Sequence, residues 1–168
     1  SSLGDYQGAI TDYTKALQID PEYEDAHTNR GIAKYSIRDY NGAIADFSRA
    51  IKINPGNAFA YNNRGSIKSI LKDNNDAITD YNKAIEINPQ YADAIANRGL
   101  AKSESKDYRG AIADYNKAIE IDPQNANAYI NRGISREIIN DLPGACRDWK
   151  KAVDLGNEGP TEWVENQC

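Results

Sequence analysis

The sequence predicts an all-α fold, a right-handed superhelical solenoid of antiparallel helix pairs, and three observations carry that expectation. Pro21, Pro55, Pro89 and Pro123 stand 34 residues apart in a chain of 168. The residues between them recur at the same period, with apolar side chains spaced by three and four as on one face of a helix. A unit of that length holds two short helices and cannot enclose a core by itself, so successive units must stack.

Residues 1-23 are expected to form the second helix of an incomplete N-terminal repeat, with Ala9, Tyr13 and Ala16 on its packing face. Full repeats follow at 24-57, 58-91, 92-125 and 126-159, the last divergent at its end, and 160-168 is expected to be a short capping helix that carries Trp163. The first half of every full repeat bears Asn-Arg-Gly, at Asn29-Arg30-Gly31, Asn63-Arg64-Gly65, Asn97-Arg98-Gly99 and Asn131-Arg132-Gly133. The second half bears a small, an aromatic and another small residue. These are Ala43, Phe47 and Ala50; Ala77, Tyr81 and Ala84; Ala111, Tyr115 and Ala118; then Ala145, Trp149 and Ala152. Asp39, Asp73, Asp107 and Asp141 are placed to cap the second helices, and Asn57 and Asn125 two of the first helices. The prolines end the second helices, because the residue before a proline is barred from helical geometry.

The two ends differ from the middle. The chain begins partway through its own period and is expected to be a fragment, so Ile10, Tyr13 and Leu17 should lie partly uncovered and invite another copy. A homodimer or end-to-end oligomer through that uncapped helix is the expected consequence. At the other end Leu155-Gly156 reads as a helix stop.

Composition narrows the chemistry. Lys plus Arg number 20 against 25 Asp plus Glu, a net charge of −5, so no broad basic surface exists for nucleic acid or anionic membrane, and neither is expected as a partner. One histidine and two cysteines cannot build a transition-metal cluster, and no nucleophile–base pair stands out, so no metal, no cofactor and no enzymatic activity are expected. His27 reads as a packing residue. Asp73-Asn74-Asn75-Asp76 lacks the glycine and distal glutamate of a calcium loop and reads as the ordinary turn. Cys146 takes an isoleucine position and is expected as a buried thiol, Cys168 is free to pair between chains, and no bond between the two can be read. The compartment is unknown, cytoplasmic by default.

The period, the glycine inside the first helix, the small-aromatic-small pattern and the closing proline together resemble the tetratricopeptide repeat family. The likeness covers residues 1 to about 156. It departs at Arg30, Arg64, Arg98 and Arg132, where the family often has leucine, and at Lys34, Lys68, Lys102 and Arg136, often aromatic. Those arginines are either a cationic ladder for a ligand or partners of Asp12, Asp46, Asp80, Asp114 and Asp148, each just before its aromatic residue; pairing is favoured. The resemblance implies a concave groove built from the first helices. Asn29, Asn63, Asn97 and Asn131 would line it, with Thr28, Ile32, Phe59, Asn62, Leu100, Ile130 and Ile134. An amide offers both donor and acceptor to a peptide backbone, yet it can equally satisfy its own helix. The lysines of the family's clamp for chaperone C-terminal carboxylates are absent from this face, so chaperone-tail binding is not expected. The function implied is a non-catalytic protein–protein interaction scaffold that holds a peptide or helix of an unidentified protein partner, in complex assembly. A self-associating structural module, or the recruiting part of a larger enzyme, is the alternative.

Overall fold

A computed structural model describes residues 3–168; Ser1 and Ser2, at the head of the 1-23 segment, lie outside it. Among the described residues there are ten helices and no strand. In chain order they are α1 (Leu3–Ile19), α2 (Glu24–Ser36), α3 (Tyr40–Ile53), α4 (Ala58–Ile70), α5 (Asn74–Ile87), α6 (Ala92–Glu104), α7 (Tyr108–Ile121), α8 (Ala126–Ile138), α9 (Leu142–Asp154) and α10 (Thr161–Gln167). None is long and apolar enough to cross a membrane. The chain divides into two compact units, one ending at Asn88 with α1 to α5, the other beginning at Pro89 with α6 to α10.

Local chemistry sets the boundaries. Asn57 and Asn125 accept the backbone N–H of Ala60 and Ala128 at the starts of α4 and α8. Asp39, Asp107 and Asp141 accept from Gly42, Gly110 and Gly144 in the same way. Asp73 makes no such bond, contrary to the sequence expectation. The cause is steric: a Cβ on any of those three glycines would lie 2.1 Å from the capping carboxylate, and the matching residue after Asp73 is Asp76, which has one. Inside each pair the turn closes with a left-handed residue that is never glycine, Arg38, Lys72, Lys106 or Asn140, at φ between 64° and 67°. The following N–H reaches back five residues, as in Asp39 to the Lys34 carbonyl and Asp107 to that of Lys102.

In the first unit α2 packs on α3 and α4 on α5, and the glycine of each first helix admits the aromatic residue of the second. A Cβ on Gly31 would lie 3.1 Å from the Phe47 ring, and one on Gly65 2.9 Å from Tyr81. Ala43, Ala50, Ala77 and Ala84 are fully buried beside those rings, and Phe47 clusters with Ile51, Ala60 and Ile67. The helix α1 packs on α2 and leaves Ile10 and Tyr13 half-buried, in line with the expectation that both are partly uncovered. Leu17 departs from that expectation: it is buried.

The second unit repeats this scheme with a tighter fit. A Cβ on Gly99 would lie 2.9 Å from Tyr115, and one on Gly133 only 2.3 Å from Nε1 of Trp149. Trp149 packs in turn against Trp163 of α10, with ring centroids 5.1 Å apart. The expectation of unpaired cysteines is corrected here. Cys146 on α9 and Cys168 form an intrachain disulfide, with their Cα atoms 5.5 Å apart. The isoleucine position of Cys146 faces the place a further helix would fill, α10 fills it, and its end delivers Cys168 to the sulfur. That path past Gly156 cannot be read from spacing.

The graded clearance gives a graded expectation. Gly133→Ala should be the most destabilising of the four glycine substitutions, by about 1–3 kcal/mol, because the boxed Trp149 has nowhere to move. Gly31→Ala should cost much less, since the gain in helix propensity of about 1 kcal/mol offsets a small shift of Phe47. Thermal melting of both variants checks the order; equal losses would contradict the packing account.

Candidate functional site

The arginines of the Asn-Arg-Gly motifs are held by structure. In the first unit the Asp46 carboxylate accepts from Arg30 Nε at 2.9 Å and Nη2 at 2.6 Å, and Lys34 Nζ lies 2.7 Å away. Asp80 is held likewise by Arg64, at 2.9 and 2.6 Å, and by Lys68 at 2.9 Å. In the second unit Arg98 and Lys102 hold Asp114, at 2.6 and 2.8 Å, and Arg132 and Arg136 hold Asp148, at 2.5 and 2.7 Å. All four carboxylates are buried. Arg30, Arg64 and Arg132 also reach the second helix of the preceding pair. Arg30 donates to Thr14 Oγ1 at 3.1 Å, Arg64 to Ser48 Oγ at 3.0 Å and Arg132 to Asn116 Oδ1 at 2.7 Å. Asp12 on α1 is 78% exposed and lies 3.4 Å from Lys15 Nζ. The pairing reading holds and the ligand ladder does not.

Sequence reasoning missed two parts of this cluster. The base four residues after each arginine, a lysine in three repeats and Arg136 in the last, looked only like a departure from a family aromatic, yet it is the second cation on the same acid. Thr14, Ser48 and Asn116 carried a signal as well, a polar residue 16 before each arginine as the aspartate is 16 after it. His27 packs beside Asp46, as expected, with Nε2 3.0 Å from the Pro21 carbonyl oxygen.

The candidate site lies in the second unit, on successive first helices. Asn97 and Leu100 of α6 and Asn131 of α8 line a cleft of about 260 Å³ with Asp93, Ala96, Asn125, Asn127 and Ala128. Asn97 and Asn131 share the face because they are one period apart. The Asn131 side-chain amide has no partner among the described residues, and Leu100 is 39% exposed. The Tyr115 hydroxyl, whose ring packs on Gly99 next to Leu100 in the sequence, is buried without a hydrogen bond among the described residues. In the preceding repeat Tyr81 reaches Ser66 Oγ at 3.3 Å, and Leu100 stands one period after that serine. Burial, then the charges of Asp114 and Glu104, push the Tyr115 phenol well above its ordinary range, so the ring stays neutral.

The other residues expected in the groove fall into different places. In the first unit Asn29 and Ile32 line a depression of about 190 Å³ with Tyr6, Ala9, Tyr13 and Ala33, beside α1. Phe59 is 44% exposed, while Asn63 donates to the Phe59 carbonyl at 2.8 Å and so satisfies its own helix. Thr28 and Asn62 are buried, each 8% exposed, and neither lines the cleft or the depression. Thr28 turns its hydroxyl to Glu24 at 3.1 Å. Ile130 and Ile134 are half-buried and do not line the cleft. Among the described residues no group of three or more His, Cys, Asp or Glu could hold a metal ion.

The cation pairs carry a pH dependence. Burial pushes the Asp46 carboxyl up, but hydrogen bonds from Arg30 and Lys34, and their charges, overcome it and hold the group below its ordinary value of 3.8. A depressed acid contributes stability that is complete above the unfolded value and is lost as pH falls through the lower folded value. Melting temperature should therefore drop below about pH 4, and Asp46→Asn should be less stable at pH 7 with a flatter acid limb. An acid limb of unchanged slope in Asp46→Asn would contradict this.

Models of the tetratricopeptide repeat match residues 24–57 and 58–91, and a further TPR repeat model matches 2–38 and 104–136. No curated protein sequence matches the chain. Among solved structures, a MamA protein is 30% identical over 96% of this chain and 87% of its own, with a TM-score of 0.82. YrrB, described as a TPR protein with an unusual peptide-binding site, is 21% identical over 96% and 81%, with a TM-score of 0.78. The first TPR of Spaghetti (RPAP3), bound to the HSP90 peptide SRMEEVD, is 24% identical over 72% and 96%, with a TM-score of 0.70. Family matches along most of the sequence, helix pairs repeating at one period and the glycine–aromatic contact inside each pair agree: the chain belongs to the tetratricopeptide repeat family, with an all-α solenoid fold.

Proposed function

We propose that this protein is a non-catalytic protein-interaction scaffold, and that the cleft of the second unit receives an extended segment of a partner protein in complex assembly. The observation that carries the reading is the cleft itself, which sets the Asn97 and Asn131 amides beside the exposed Leu100. Two amides one period apart can donate to and accept from a peptide backbone, while leucine supplies the apolar contact that side chains of the segment would cover. The peptide-binding site of YrrB and the bound peptide of the Spaghetti domain support this use of the fold.

A second reading, self-association through α1, is supported by the half-buried Ile10 and Tyr13 and by Ile19, which is 87% exposed. The two readings use different units and do not exclude each other. The Cys146–Cys168 bridge supports an oxidising compartment over the cytoplasmic default. Substitution separates the readings. Asn97→Ala with Asn131→Ala should weaken partner capture by about tenfold, as expected for two lost hydrogen bonds, with the helical circular dichroism spectrum and oligomer size unchanged. Capture unaffected by the double substitution would overturn the cleft reading.

A further inference from the structure

The cleft continues into a second hollow, and the charges along the combined furrow point to the chemistry of what it holds. Asn125 and Asn127 line both the cleft and an adjoining hollow of about 590 Å³ bounded by Gln124, Ala126, Leu155, Gly156, Asn157 and Glu158. The furrow thus begins beside Asp93 on α6 and ends beside Glu158 after α9. Every other polar side chain lining it is an uncharged amide, and the only charged ones are those two acids. Both are exposed, and neither carboxylate has an ion-pair partner among the described residues. Two of the amides are already fixed in place. Asn125 is turned to the Ala128 N–H at 3.0 Å, and Asn157 donates to Asn127 Oδ1 at 3.3 Å.

The absence of a base from this lining has a cause in the fold. The four cations carried by α6 and α8, Arg98, Lys102, Arg132 and Arg136, are all committed to Asp114 and Asp148. An acidic segment laid along the amides would meet uncompensated like charge at both ends. A cationic one would find a carboxylate at each end and leucine contacts, from Leu100 and Leu155, along the way.

We propose that the furrow selects an extended partner segment carrying at least two Lys or Arg residues flanking apolar ones, and rejects acidic segments. This rests on the reading of the cleft as a peptide site and adds its selectivity. The test is fluorescence anisotropy with three labelled synthetic peptides of equal length, alternating leucine with lysine, with glutamate or with glutamine. They are titrated into the full chain at low ionic strength, and into Asp93→Lys/Glu158→Lys and Asn97→Ala/Asn131→Ala variants whose folding is checked by circular dichroism. The lysine peptide is expected to bind about tenfold tighter than the glutamate peptide, two exposed charge pairs being worth that much. The preference should fade as salt is added and reverse in the Asp93→Lys/Glu158→Lys variant. Equal binding of all three peptides, lost in the asparagine variant, overturns the charge selectivity and leaves the peptide site standing. A lysine preference that survives the charge reversal places it outside the furrow and overturns the proposal. No binding of any peptide overturns both readings.

Discussion

A buried carboxylate held by two cations from the neighbouring helix is the interaction on which the rest of this structure depends. Asp46, Asp80, Asp114 and Asp148 lie in the tightest part of each helix pair, where an unpaired charge would be prohibitive. Each acid accepts two hydrogen bonds from one guanidinium and a third contact from the cation one turn later. That geometry allows one register of the two helices, and the same register brings Gly31, Gly65, Gly99 or Gly133 over its aromatic ring. The guanidiniums of Arg30, Arg64 and Arg132 also bond to the second helix of the preceding pair, so one side chain fixes three helices. Pairing and stacking are thereby set by the same residue, which suits a fold whose units cannot stand alone.

The same interaction shapes the site. Because the first helices spend their cations on the buried acids, the face around Asn97 and Asn131 is left with amides, Leu100 and unpaired carboxylates. The structural ion pairs and the character of the furrow are two consequences of one placement of arginine and lysine. Were the guanidiniums free, this face would read as a site for carboxylates or phosphates. With them withdrawn, it suits a segment that brings its own positive charge.

Most of the fold is legible in the sequence because its determinants repeat. Proline ends, asparagine caps, the small-aromatic-small face and the Arg–Asp spacing recur at one period, and recurrence separates signal from coincidence. What resists reading is local. The failure of Asp73 to cap α5 depends on a Cβ at Asp76 that no propensity scale registers. The disulfide depends on the path of residues 155–168, which follow no period. In the groove, residue type alone could not distinguish Asn97 and Asn131, which line a cleft, from Asn63, which does not line it, or from the buried Asn62. That distinction requires knowing how deeply each position sinks between stacked helices.

The central claim is that the paired carboxylate, rather than generic apolar packing, locks each helix pair. A thermodynamic cycle in the third full repeat tests it most directly, combining Arg98→Ala and Lys102→Ala with Asp114→Ala and measuring stability at neutral pH. Removing both cations should cost about 3–5 kcal/mol because it strands a buried charge, and removing Asp114 as well should restore a large part of that loss. A further loss on removing Asp114, additive with the first, would contradict the account.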